Sequence, residues 1–147
     1  GFMFADPKYL KTPRVIEKMT YSEAYFLSAY GADVIHCDAV LYAGEKNVPI
    51  RILNTFSPEC DGTLIGDVPP CDTIRGVAGK RGYFGKNVAA VAVCFGGDGD
   101  RAVARCREIL AGNGIFEKFV LPFKPGAVFG VDDGCFDSAM RLLIEKL

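Results

Sequence analysis

The sequence predicts an α/β chain in two segments, and three observations carry that reading. Residues 20–54 alternate helix signals with short β-branched stretches. Val88 to Phe95 is an unbroken apolar run of eight residues, the length of a central strand rather than of a helix. The stretch beyond it repeats strand and helix signals in the order β-α-β-β-α.

The first segment spans residues 1–70. Thr20-Tyr21-Ser22-Glu23 has the pattern of a capping box, with Thr20 as N-cap and Glu23 reaching back to it. The helix it opens carries Ala24, Leu27 and Tyr30, and Gly31 stops it. Val34-Ile35-His36 reads as a short buried strand, Asp38 to about Lys46 as a second helix closed by Asn47, and Pro49 to Asn54 as a strand. Such alternation implies parallel strands. Two strands and two helices cannot cover both faces of a sheet, so the apolar positions Leu27, Ile35 and Ile52 are expected to need a partner outside the chain. The turn-rich run from Ser57 to Gly62 and the pair Pro69-Pro70 close the segment.

The second segment spans residues 71–147. Ile74 to Ala78 is a candidate strand, and a hairpin rich in Gly and Lys leads from it into Val88 to Phe95. Gly96-Gly97-Asp98-Gly99-Asp100 turns the chain, Asp100 is placed to cap a helix running to Leu110, and Gly112-Asn113-Gly114 ends that helix. Its Val103, Cys106 and Leu110 face the core while Arg101, Arg105 and Glu108 face water. Phe119, Leu121 and Phe123 alternate on a strand that Pro122 marks as an edge. Lys124-Pro125-Gly126 turns into a strand from Ala127 to Val131, and a last helix starts at Cys135. The order is that of a ferredoxin-like module without its final strand. Either Ile74 to Ala78 fills that place or a partner chain does.

Composition narrows the function classes. Of 147 residues, 50% are hydrophobic, and 17 basic against 18 acidic residues leave a net charge of -1, which excludes a disordered chain and gives no bulk attraction to nucleic acid. No apolar run reaches the roughly 20 residues that a membrane span demands. The start, Gly1-Phe2-Met3-Phe4, has neither a basic region nor an apolar core of a signal peptide, and it lacks an initiator methionine, as a cut inside a longer chain would. A cytoplasmic location is expected. The six cysteines stand singly, without a C-x-x-C pair, and His36 is the only histidine, so reduced, mostly buried thiols are expected and no metal site.

Two glycine-rich loops invite a ligand. Gly96 to Asp100 lies between a strand and a helix, as an anion-binding loop would, yet Asp98 and Asp100 would repel a phosphate. An amino acid suits it better, its ammonium on the carboxylates and its carboxylate on helix N–H groups. A plain tight turn is the alternative. The loop from Gly79 to Lys86 fits neither a P-loop nor the RNP1 pattern, so an RNA-binding module on the same β-α-β-β-α order is set aside. His36 is read as a hydrogen-bonded core residue, with no nucleophile spaced to use it.

Several separate blocks resemble aspartokinases. They are Ala5-Asp6-Pro7-Lys8, Tyr21-Ser22-Glu23-Ala24, Tyr30 to His36, Pro49 to Pro58 and Gly62-Thr63-Leu64-Ile65, in the family's order and with similar spacing. The resemblance covers about the first 66 residues. It implies that residues 1–70 are the end of an amino-acid-kinase domain and that residues 71–147 are an ACT-like regulatory domain, matched by pattern alone. It implies ATP-dependent phosphorylation of L-aspartate to 4-phospho-L-aspartate by the full-length enzyme, with ATP and Mg as its cofactors. The family's nucleotide contacts fall here on Met3, Lys8, Asp33 and Val34. Asp33 departs from the usual lysine and puts a carboxylate where a cation is wanted.

The family's phosphate loop and aspartate pocket belong to an N-terminal half that these residues do not include, so no catalytic residue is assigned and this chain alone is expected to be inactive, with no cofactor tightly bound. The ACT-like module is expected to bind an end-product amino acid (lysine, threonine or methionine) through Gly97, Asp98, Gly99, Asp100 and Arg101. It is also expected to pair with a second copy through its sheet. The alternative is a dimerisation module that binds no ligand.

Overall fold

The computed structural model describes residues 1–12 and 14–147. Eleven regular elements follow one another: β1 (Lys18–Met19), α1 (Tyr21–Ala29), α2 (Cys37–Glu45), β2 (Ile50–Ile52), β3 (Thr63–Ile65), β4 (Ile74–Lys80), β5 (Val88–Phe95), α3 (Gly99–Ala111), β6 (Phe119–Phe123), β7 (Gly126–Asp132) and, after a single 3₁₀ turn, α4 (Phe136–Lys146). They make two sheets, a small one ordered β1-β3-β2 and a four-stranded one ordered β4-β5-β7-β6.

The helix signals of the first half hold. The Thr20 hydroxyl accepts from Glu23 N at 3.1 Å, and the Glu23 carboxylate accepts from Thr20 N at 2.8 Å. At the other end Ala32 N donates to Leu27 O at 2.9 Å, with Gly31 at φ 119° between them. A side chain at Gly31 would collide with the Gly79 carbonyl of β4, so both backbone conformation and close approach demand glycine. Helix α2 ends the same way, on Asn47 at φ 51° with Val48 N donating to Ala43 O at 2.9 Å.

The strand expectations need correction. Val34-Ile35-His36 forms no strand: Val34 and His36 are exposed, in the turn that leads into α2. Three consecutive β-branched or aromatic residues looked buried only because the turn after Gly31 has no composition signal of its own. The strand that does form, β2, runs antiparallel to β3, and the one parallel pair among the described residues, β1 with β3, uses two short strands that the pattern did not mark. Strands of two or three residues are too short to show an alternation.

The four-stranded sheet is antiparallel throughout, and β4 fills the place of the missing ferredoxin strand by pairing with β5. Strand β6 lies at the free edge, as Pro122 requires. The run from Val88 to Phe95 is apolar at every position because the sheet is covered on both faces. Ala89, Val91, Val93 and Phe95 join α3 and α4 in one core, while Ala90, Ala92 and Cys94 join α1 in a second. Leu27 is therefore 2% exposed, its partner being the chain's own sheet, where Gly76 leaves room for its methyl group. Arg75 of β4 ties the two halves further, with Nε 3.5 Å from the buried Glu23 carboxylate and a guanidinium bond to the Lys18 carbonyl.

The N-cap of α3 is Asp98, not Asp100: Asp98 Oδ1 accepts from Arg101 N at 3.2 Å. Gly97 at φ 77° turns the chain early enough for the helix to begin at Gly99. All six cysteines are free, but only Cys94 and Cys106 are buried, because the other four lie on loops and helix starts. Among the described residues no helix is long and apolar enough to cross a membrane.

Candidate functional site

The N-terminal strap builds the first site. Phe4 N donates to Arg14 O and Ile16 N to Phe2 O, both at 2.8 Å, which lays residues 2–4 beside residues 14–16. Val77 N then donates to Phe4 O at 2.7 Å, so the strap covers the outer edge of β4. Between the strap, the turn after α1, β4 and α4 lies a cavity of about 320 Å³. Met3, Lys8, Asp33 and Val34, the four positions that the aspartokinase resemblance marks for nucleotide, all line it. Phe136 and Met140 of α4 form part of its wall, as do Val77, Ala78 and Gly79 of β4.

The strap is tied to α4 beside this cavity. Tyr9 Oη donates to Asp137 Oδ1 at 2.7 Å, and Arg81 pairs with the same carboxylate. Arg81 also donates to the Asp133 carbonyl at 2.9 Å, and the Arg141 guanidinium sits 5.3 Å from the centre of the Tyr9 ring. Burial, then the bond to Asp137, pushes the Tyr9 phenol well above its ordinary value. The Tyr9 hydroxyl, aided by Arg81, holds the Asp137 carboxyl below the usual carboxylate range. Sequence reasoning missed Tyr9, Phe136, Met140 and Asp137. No local pattern could have revealed them, since Tyr9 and Asp137 lie 128 positions apart.

The second site is a groove beside the glycine loop. Gly97, Gly99 and Asp100 line it together with Pro70, Val103 and the turn from Pro122 to Gly126. Asp98 and Arg101 are not part of this lining: the Asp98 carboxylate caps α3, and Arg101 is exposed on the helix. The five residues expected to hold an effector are thus divided, three at the groove and two in the helix start.

His36 is not a core residue but the exposed N-cap of α2, its Nδ1 accepting from Asp38 N at 3.3 Å. Together with Cys37 and Asp38 it brings one nitrogen, one sulfur and one oxygen within 4.8 Å of one another. That donor set suits a borderline metal and not Mg, which takes oxygen ligands. Among the thiols, burial pushes Cys106 up to about 12 and Cys94 higher still, whereas the Thr73 hydroxyl, 3.0 Å away, lowers Cys71.

No protein-family model matches the chain. Part of it is similar to curated aspartokinases: 37% identical over 65 residues to the aspartokinase of Pseudomonas aeruginosa, covering 44% of this chain and 16% of that protein. It is 32% identical over 65 residues to aspartokinase 1, chloroplastic, of Arabidopsis thaliana, covering 44% of this chain and 11% of that protein. The matched region is thus a small part of either relative. In fold the chain resembles the aspartate kinase of Clostridium acetobutylicum, with a TM-score of 0.84 at 20% identity over 99% of this chain and 52% of that one. It also resembles E. coli aspartokinase III, solved in complex with aspartate and ADP, with a TM-score of 0.52 at 22% identity over 90% of this chain and 29% of that one.

Proposed function

We propose, on the premise that this chain shares sequence with aspartokinases over 65 residues and the fold of one over nearly all its length, that it is the C-terminal regulatory portion of such an enzyme. Residues 1–70 are then the end of the amino-acid-kinase domain and residues 71–147 the ACT-like domain. The parent enzyme transfers phosphate from ATP to L-aspartate with Mg, and this portion adjusts that activity when an end-product amino acid binds. The observation that carries the reading is the convergence of Met3, Lys8, Asp33 and Val34 on one cavity whose wall includes α4 of the regulatory module. The cavity borders α4 and the groove by the glycine loop borders α3, helices that share one core, and a coupling of about 1–3 kcal/mol suffices for allosteric control.

Phosphoryl transfer needs a phosphate cradle, cations and Mg, and the cavity supplies one lysine against two carboxylates. The chain alone is therefore not a catalyst. The effector is lysine, threonine or methionine, held at the groove by Asp100 and the backbone of Gly97 and Gly99. A ligand-free dimerisation module is the second reading, favoured by the engagement of Asp98 as a helix cap and by the open edge of β6.

Calorimetric titration with the three amino acids, with light scattering in parallel, separates the two readings. Saturable binding of one amino acid that Asp100→Ala abolishes, with the dimer retained, supports the sensor. A stable dimer that binds none of the three supports the dimerisation module.

A further inference from the structure

We propose that the cavity under the N-terminal strap takes a nucleoside without its phosphates and disfavours the nucleoside triphosphate. The inference rests on the reading of this cavity as the nucleotide site, and it concerns which form of the ligand these residues accept by themselves, the phosphates of ATP depending on groups elsewhere in the parent enzyme.

The volume of about 320 Å³ lies at the small end for ligand pockets, enough for a base and a sugar. Phe136, Met140, Val77 and Leu27 offer the apolar, polarizable wall that a flat base packs against. Charge decides the rest. Asp6 and Asp33 both line the cavity and are exposed; Asp6 is paired with Lys8, which leaves the Asp33 carboxylate to accept hydrogen bonds from sugar hydroxyls while repelling phosphate.

The one lysine is already engaged. Lys8 Nζ is 3.9 Å from Asp6 Oδ2 and 4.9 Å from the centre of the Tyr9 ring. Arg81 is committed to Asp133 and Asp137. Asp33 makes no ion pair among the described residues.

Four amide groups around the cavity are also closed to a phosphate, because they already have acceptors. Lys8 N donates to Asp6 Oδ1 and Tyr9 N to Asp6 O, each at 2.9 Å. Ala32 N donates to Leu27 O at 2.9 Å and Val34 N to Ala32 O at 2.8 Å. A phosphate site needs such N–H groups free and pointing at the anion.

The test is calorimetric titration of the chain with adenosine, AMP and ATP, in the presence of a chelator and at low and high salt. The amino terminus is acetylated in every sample so that Gly1, which also lines the cavity, adds no charge. Adenosine is expected to bind at least roughly tenfold more tightly than ATP, with AMP between them. The ATP affinity rises with salt as repulsion is screened, whereas that of adenosine stays flat.

Asp33→Lys narrows or reverses the gap, and Asp33→Asn narrows it less; Asp33 is exposed, so neither variant disturbs the core. Tighter binding of ATP than of adenosine, or a gap that ignores both variants, overturns the inference and leaves the cavity a nucleotide site. Failure of all three ligands to bind overturns the underlying reading and the inference with it.

Discussion

The two halves of the chain are held together by different means. The second half owns a sheet with strands of 7, 8, 5 and 7 residues, and its two helices cover one face. The first half has strands of 2, 3 and 3 residues and two helices of nine. So small a sheet buries little, and the first half draws much of its core from the other: α1 lies on Ala90, Ala92, Cys94 and Val128 of the larger sheet. A segment rich in family motifs is thus the structural dependant of a segment with almost none. Cohesion follows buried area and not motif density.

Truncating the contact between the halves gives the largest effect. Leu27→Ala leaves a cavity over Gly76 and is expected to cost about 3 kcal/mol. In urea the whole chain then unfolds in one transition at a lower midpoint, followed by circular dichroism for the helices and by tyrosine absorbance for the strap. If instead the signal of α3 and α4 keeps its wild-type midpoint, the second half is independent and the comparison breaks.

The same contrast explains what the sequence revealed. In the second half the apolar run of β5, the alternation of β6 and the glycine-flanked α3 were all legible, because these elements are long enough to show a run, a period or a pair of ends. In the first half the helices were legible through their ends, where capping is local: Thr20 with Glu23, Gly31 and Asn47. Strands of two and three residues were not. Val34-Ile35-His36 had strand composition without strand structure, since nothing local says that Val34 faces a cavity and His36 caps a helix. The cavity was half legible. The aspartokinase resemblance marked Met3, Lys8, Asp33 and Val34, but Phe136 and Met140 arrive through the packing of α4, which no spacing encodes.

A smaller effect sharpens the comparison at the helix start. Thr20→Ala removes the hydroxyl that accepts from Glu23 N, at an expected cost of about 1 kcal/mol. Since Glu23 is also the partner of Arg75, loosening the cap loosens the link to β4. Amide hydrogen exchange should therefore quicken in α1 and at Arg75 to Val77, with α3 unchanged. Exchange that quickens in α1 alone would mean that the ion pair does not transmit the cap.

The smallest effect concerns the strap, which belongs to the first half by sequence and to α4 by contact. The Asp137 carboxyl is held low, so its contribution is present at neutral pH and fades as pH falls through that depressed value, below about pH 4. The Tyr9 phenol is held high, so its contribution is intact below the ordinary phenol value near pH 10 and is lost as pH climbs through the raised one. Between those limits the strap stays docked. Tyr9→Phe removes the bond while keeping the ring under Arg141, so overall stability should hardly change.

What should change is access: trypsin cleaves after Lys8 and Lys11 faster in Tyr9→Phe at pH 8, and ultraviolet titration loses its most alkaline phenol. Tyr42→Phe, at a ring 66% exposed, is the control and should do neither. If the most alkaline phenol persists in Tyr9→Phe, it belongs to Tyr30, which burial and Tyr83 also raise. The strap would then be held by Phe2, Phe4 and Ala5 in the core and not by its bond to α4.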